Sequence, residues 1–233
     1  MSLIGQSIKR IEDRPLLTGN GRFAADVTPP NALYMRVVRS PVAFGRLSGL
    51  RIAEAQAHPG AVAIWTAADV GDIPSIGFRM TSVPGLEAYR QPVLANGYVR
   101  YVGEPVAAVF AADPYSAEDI AALAVPEIEP LAPHLDPIAL PGEFAPGHST
   151  EAAVITKAYG DLDAAFAKAH AVVTLQLTIG RHSGVPLETR GAIAVPEAES
   201  GILRLYGAAK VPHYNRQALA AMGSRCYRRD GGL

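Results

Sequence analysis

The 233-residue chain predicts an α+β fold made of two unequal parts. Three observations carry this. Short β-branched or alternating runs are separated by Pro- and Gly-rich turns. Strand–helix–strand order occurs twice, at 46–66 and 106–131, and such units call for a sheet with helices packed on it. Past about residue 150 a helix, a strand and a hairpin begin a second region that has only a few elements.

Composition narrows the function classes. With 49% hydrophobic residues and a net charge of -1, the chain can bury a sizeable core and is not compositionally disordered. Near-neutral charge argues against nucleic acid or an anionic membrane as partner. No apolar run approaches the roughly 20 residues needed to cross a bilayer. The N-terminal segment has neither a secretory apolar core nor a small-residue cleavage site, so a soluble, cytoplasmic protein is expected. The single cysteine, Cys226, excludes an internal disulfide and cannot alone supply a zinc or iron–sulfur site.

Residues 1–32 read as an irregular arm. Arg10, Arg14 and Arg22 alternate there with Glu12, Asp13 and Asp26, and Gly19-Asn-Gly21 forces a turn. Residues 33–40 form a β-branched strand closed by Pro41, and 46–52 alternate as a strand with one covered face. A short helix at 53–57 stops at His58-Pro59-Gly60, and 61–66 is the next strand. Residues 71–95 are a long Pro- and Gly-broken loop of the kind that serves an interface or a site.

The stretch Val99-Arg-Tyr-Val-Gly103-Glu-Pro-Val-Ala-Ala-Val-Phe-Ala-Ala112 organises what surrounds it. Gly103 permits backbone angles closed to bulkier residues, and Pro105 starts a uniformly apolar, buried strand where its missing N–H matters least. Ser116-Ala-Glu-Asp119 resembles a capping box opening a helix to Leu123, and 125–131 returns as a strand. Residues 132–158 are Pro-, Gly- and His-rich, a candidate boundary. Beyond them come a helix at 161–169 and a strand at 171–178 with Val173, Leu175 and Leu177 on one face. A hairpin about Glu199-Ser-Gly201 follows, then a helix opened by Pro212 and running to about Met222.

Few residues advertise chemistry. His58, His134, His148, His170, His182 and His213 show no metal-ligand spacing and read as surface or capping groups. Glu104, between Gly103 and a buried strand, is the most suggestive carboxylate. It reads chiefly as an acceptor of local backbone hydrogen bonds that orders the turn, with general acid/base work as the alternative. His182, Glu188 and Arg190 are placed to form a buried paired network that positions a cofactor or merely locks two elements. In Gly207-Ala-Ala-Lys210-Val-Pro-His213 small residues precede a helix N-terminus and a lysine. That arrangement suits an anion, or simply a tight turn with a solvated lysine.

Several stretches together resemble a known family. Thr18-Gly-Asn-Gly-Arg-Phe-Ala-Ala-Asp26, Arg39-Ser-Pro41, Pro59-Gly-Ala-Val-Ala-Ile-Trp-Thr-Ala-Ala-Asp69 and Val99 to Val109 occur in that order. With Ala117-Glu-Asp119 and Glu127-Ile-Glu-Pro-Leu131 they resemble the large, molybdenum-binding subunit of the xanthine dehydrogenase/aldehyde oxidase family, which includes the aerobic carbon monoxide dehydrogenase large subunit. The resemblance implies an N-terminal arm at 1–18, an a/b hammerhead domain of strand–helix–strand units at 19–131 and a linker at 132–149. The start of a mixed α/β molybdopterin-binding domain, incomplete, would occupy 150–233.

Leu187-Glu-Thr-Arg-Gly-Ala192 is similar to the family's Glu-Pro-Arg-Gly segment, and Ala209-Lys-Val-Pro-His-Tyr-Asn-Arg216 to its Thr-Gln-x-Pro-His-x-x-Arg segment. In many relatives that glutamine reaches toward the molybdenum; here Lys210 holds the position and is the candidate cofactor-binding residue. The family's glycine-rich loop, later pterin-binding loops and glutamate base find no counterpart, although Asp230-Gly-Gly232 is similar to the approach to that loop. The resemblance therefore implies part of a molybdenum-dependent hydroxylase or dehydrogenase of aldehydes, heteroaromatics or related small substrates. No catalytic residue or metal ligand is assigned within the chain. It would work with the remaining molybdopterin-binding chain and with iron–sulfur and flavin subunits, as a truncated, split or frameshifted product. The alternatives are a non-catalytic assembly module for a separately encoded catalytic chain and an unrelated α/β binding protein.

Overall fold

A computed structural model describes residues 3–226 apart from 72, 80, 82, 181, 187 and 209; Asp230-Gly-Gly232 lies outside the described residues. Contacts gather them into two compact units, one holding the arm up to Leu33 with residues 184–221, the other Tyr34–Ser183 with residues 222–226.

In chain order, helix α1 (Asp13–Leu17) precedes strands β1 (Tyr34–Arg39) and β2 (Gly45–Arg51), helix α2 (Ala53–Ala57) and strand β3 (Ala61–Trp65). Strands β4 (Tyr98–Val99) and β5 (Pro105–Ala111), helix α3 (Pro114–Leu123) and strand β6 (Val125–Pro130) follow. Next are the short strands β7 (Glu143–Ala145) and β8 (His148–Ser149) and helix α4 (Leu162–Ala167). Strands β9 (Ala192–Glu197) and β10 (Ile202–Gly207) and helix α5 (Pro212–Cys226) come last.

The larger unit is built on two three-stranded antiparallel sheets, β1-β5-β3 and β4-β2-β6. The two strand–helix–strand runs do not lie in one sheet, as their order suggested. Each sends one strand to each sheet: β2 and β6 pair in one, β3 and β5 in the other. Antiparallel pairing removes the parallel crossover that a single sheet would have demanded.

β5 is the central strand, which explains its uniform apolarity. Val106, Ala107, Ala108, Val109 and Ala111 are all buried. α3 packs across β1 and β5 and presents Ala117 and Ile120, while Ala55 of α2 is equally buried in the same core. Alanine at 55 and 117 suits close packing of helix on helix and helix on sheet. Gly45 opens β2 against the end of β6. A Cβ there would stand 2.5 Å from Ile128 Cγ2 and 2.7 Å from the Glu129 carbonyl.

Three local expectations change. Helix α3 is capped by Asp113, not Ser116: Asp113 Oδ1 accepts the N–H groups of Tyr115 and Ser116 at 2.9 Å each. Pro114 occupies the first helical position with φ already suited to a helix, which starts the helix earlier than the capping-box reading. Ser116 Oγ instead donates to Asp113 Oδ2 at 2.6 Å. Within the Pro/Gly/His-rich stretch, β7 and β8 form a small antiparallel pair, where a plain linker was expected. The strand expected at 171–178 is absent as a regular element, because nothing among the described residues pairs with it.

The smaller unit carries the antiparallel hairpin β9–β10, from Ile202 opposite Glu197 to Gly207 opposite Ala192, as the turn at Glu199-Ser-Gly201 predicts. Glu197 accepts hydrogen bonds from Arg204 and Ser200 beside that turn, and these bonds hold its carboxyl below the usual glutamate range. α5 begins at Pro212.

Candidate functional site

The stretches that carry the family resemblance meet one another in pairs. Ser40 of Arg39-Ser-Pro41 exchanges backbone hydrogen bonds with the Gly103–Glu104 turn: Ser40 N–H donates to the Glu104 carbonyl at 2.9 Å and Gly103 N–H to the Ser40 carbonyl at 2.8 Å. Arg39 Nη1 adds a bond to the Gly103 carbonyl at 2.8 Å. Gly60 lies against α3, where a Cβ would stand 3.0 Å from Ser116. At the end of the same stretch Asp69 accepts both the N–H and the hydroxyl of Thr66, at 2.7 and 2.8 Å, which lowers its pKa. In the smaller unit the Ala24 N–H of the arm donates to Glu188 Oε1 at 3.2 Å, joining Thr18…Asp26 to the segment around Glu188.

Glu104 is 1% exposed, and its carboxylate accepts the backbone N–H of Arg100. Gly103 supplies the turn with φ +90°, in the region glycine favours. Burial pushes the Glu104 pKa up; the Arg100 N–H and charge and the Tyr101 N–H pull it down, and burial prevails. The buried carboxyl is held by backbone N–H groups of the 100–103 turn, and the group orders that turn as the sequence suggested.

His182, Glu188 and Arg190 do not form a buried network. His182 and Arg190 are exposed and Glu188 is half-buried. His182 Nδ1 lies 3.4 Å from the Gly180 carbonyl, and Glu188 bonds to Ala24. Spacing along the sequence gave these residues proximity in the chain but could not supply the packing that burial needs. Lys210 is exposed two residues before α5. His58 Nδ1 accepts the Gly60 N–H at 3.1 Å, His148 stacks on Phe144, and His134, His170 and His213 are exposed.

Among the described residues, no three His, Cys, Asp or Glu side chains come together as a metal ion needs. Lys210 and the N-terminus of α5 can meet an anionic group from one side. A donor set of one exposed lysine and one helix end does not enclose a molybdopterin, and no reaction step is derived through that group.

Sequence reading missed Arg100. Its guanidinium carbon sits 5.6 Å from the Phe144 ring, its Nη1 donates to the Arg90 carbonyl at 3.3 Å, and its own N–H holds Glu104. Tyr89 packs on Phe144 with ring centroids 5.4 Å apart and donates its hydroxyl to the Ser149 carbonyl at 2.9 Å. The long loop, the β7–β8 pair and the Glu104 turn thus converge on one arginine. The aromatic residues Tyr89 and Phe144 in otherwise Pro/Gly-rich stretches were the available signal.

Comparison with known proteins agrees with this arrangement. Residues 18–132 match the family described as "Aldehyde oxidase and xanthine dehydrogenase, a/b hammerhead domain", and residues 145–224 match "Molybdopterin cofactor-binding domain". The chain is 42% identical over 226 residues to the 6-hydroxypseudooxynicotine dehydrogenase complex subunit gamma of Paenarthrobacter nicotinovorans, covering 94% of this chain and 28% of that one. It is 31% identical over 235 residues to the carbon monoxide dehydrogenase large chain of Afipia carboxidovorans, covering 93% and 28%. The crystal structure of quinoline 2-oxidoreductase from Pseudomonas putida 86 superposes with a TM-score of 0.74 at 36% identity, covering 95% of this chain and 29% of that one. The chain therefore spans less than a third of the length of these relatives, and its fold is a hammerhead domain followed by the start of a molybdopterin-binding domain. It belongs to the xanthine dehydrogenase/aldehyde oxidase family of molybdopterin-binding large subunits.

Proposed function

We propose that this chain is the N-terminal portion of a molybdenum-dependent hydroxylase acting on an N-heteroaromatic substrate, and that it does not turn over alone. The observation that carries this is the 42% identity, over nearly the whole chain, to a subunit named for 6-hydroxypseudooxynicotine dehydrogenase. Relatives named nicotine 6-hydroxylase and quinoline 2-oxidoreductase support the substrate class. The bound cofactor would supply the redox chemistry and the activated oxygen. This chain would supply scaffold: the Glu104 turn, the α3 core and the Ala24–Glu188 junction.

Lys210 is the one residue proposed to face the cofactor, as a positive charge beside its anionic part. The rest of the molybdopterin-binding chain and iron–sulfur and flavin subunits would complete a cytoplasmic complex. Among the described residues no helix is long and apolar enough to cross a membrane.

The test is co-expression with the remainder of the Paenarthrobacter gamma chain and its partner subunits, followed by assay with nicotine, quinoline and a simple aldehyde. Dye reduction with the ring compounds, absent from either part alone, is expected. Turnover of the aldehyde only would overturn the substrate class.

A further inference from the structure

The dipeptide Asn-Gly occurs twice in the chain, at Asn20-Gly21 and at Asn96-Gly97. In this pair the second residue's backbone nitrogen meets least hindrance in reaching the first residue's side-chain carbonyl, because glycine has no Cβ and its backbone turns freely. Both asparagines are exposed, so exposure does not separate them. Their surroundings do.

Asn20 is held by side chain and backbone together. Its Nδ2 donates to the Thr18 carbonyl at 3.2 Å and to Thr18 Oγ1 at 3.0 Å, and its backbone N–H donates to the Pro15 carbonyl at 2.8 Å. Gly21 is also packed: a Cβ there would stand 2.7 Å from Leu16 Cδ2. Around Asn96 the reverse holds. Among the described residues neither its side chain nor the Gly97 N–H takes part in a hydrogen bond. A Cβ at Gly97, where φ is +74°, would meet nothing within 4 Å. The tethers lie outside the reacting atoms: Ala95 N–H donates to the Pro105 carbonyl at 2.7 Å, and the Gly97 carbonyl accepts the Leu47 N–H at 2.9 Å.

We propose that Asn96 is a site of spontaneous covalent modification and that Asn20 is protected from it. The Gly97 nitrogen bonds to Asn96 Cγ while the Cγ–Nδ2 bond breaks, and the displaced nitrogen takes the Gly97 proton and leaves as ammonia. Water then opens the cyclic imide, and nothing is oxidised or reduced. Addition at Cγ gives aspartate. Addition at the main-chain carbonyl carbon gives isoaspartate, in which the chain runs through the former side chain. That product places an extra methylene between the Ala95 and Gly97 tethers. The Leu47–Gly97 bond and the adjoining pairs of β4 with β2, Tyr98 with Arg46 and Val99 with Gly45, cannot then all keep their register.

The test incubates the full chain at mildly alkaline pH, folded or in urea. Tryptic peptides 91–100 and 11–22 are compared by mass spectrometry and by isoaspartate methyltransferase labelling. In urea the two asparagines should convert at similar rates, since the dipeptide is the same. In the folded chain Asn96 should convert about tenfold or more faster than Asn20, which must first release its two side-chain bonds. Asn96→Gln, whose longer side chain closes the ring far more slowly, should abolish labelling of 91–100. Exchange of the Leu47 amide should rise ~10-fold or more in the isoaspartate fraction. Asn96→Asp, which carries the charge without the extra methylene, should leave that exchange unchanged.

Equal rates in the folded chain, faster loss of Asn20, or an unmodified Asn96 overturns the site. Labelling of 91–100 that persists in Asn96→Gln overturns it as well. Conversion of Asn96 with Leu47 exchange unaltered upholds the site and overturns its effect on β4.

Discussion

The carboxylate of Glu104 accepts the backbone N–H of Arg100, closing a buried turn whose other side is hydrogen-bonded to Ser40 at the end of β1. The side chain of Glu104 thereby closes the turn before β5, while the backbone of Gly103 and Glu104 ties that turn to the residue after β1. Replacing Glu104 with alanine leaves buried N–H groups unsatisfied and should cost about 1–3 kcal/mol. Glu104→Gln keeps an acceptor and should cost less. Urea unfolding of the three proteins at neutral pH checks the order.

The same residue sets a pH dependence. Its folded pKa is raised above the ordinary 4.5, so the native state holds the proton more tightly than the unfolded chain. The Glu104 contribution is therefore fully present below about pH 4.5 and is lost as pH rises through the raised value. The stability of the natural protein relative to Glu104→Gln should fall as pH rises from about 4.5 through the raised value. A relative gain over that interval would mean that the N–H bonds to the carboxylate outweigh its burial.

Ile120 is fully buried where α3 faces the sheet of β1 and β5. Ile120→Ala should destabilise by about 2–5 kcal/mol, the transfer loss plus a cavity. Chemical denaturation followed by circular dichroism measures it.

Two glycines should fail for different reasons. Gly103→Ala meets no atom within 4 Å and suffers only its backbone angle, about 1–3 kcal/mol. Gly45→Ala drives a methyl into Ile128 and the Glu129 carbonyl, so β2 and β6 must separate locally. Slower amide exchange at the β2–β6 ladder in Gly103→Ala than in Gly45→Ala distinguishes strain from clash.

In the smaller unit, Glu188→Ala removes the acceptor for Ala24. Limited proteolysis should then cut the arm between Arg14 and Arg22 several-fold faster, whereas Glu188→Gln should restore most of the protection. Equal cleavage in all three proteins would show that the bond does not hold the arm.

Much of the larger unit was legible because its signals are local. The uniform apolar run of β5, the alternation of β2 and the His58-Pro59-Gly60 stop each follow from neighbouring residues. The division into two sheets was not legible, since strand partners are fixed by pairing across the fold. The α3 cap was misplaced by three residues because Ser116 and Asp113 are both good capping groups, and Pro114 decides between them. The strand at 171–178 has the right pattern without a partner, so pattern alone gave an element the isolated chain does not form. Lys210 entered through a resemblance, and its exposure supplies no surrounding shell from which its chemistry could have been read.

The most direct measurement is molybdenum and pterin content of the purified 233-residue chain, set against the same chain co-purified with the remainder of a family large subunit. Sub-stoichiometric metal, on the order of a few per cent, is expected in the first and near-stoichiometric metal in the second. Near-stoichiometric molybdenum with pterin in the isolated chain would contradict the reading of this protein as an incomplete scaffold.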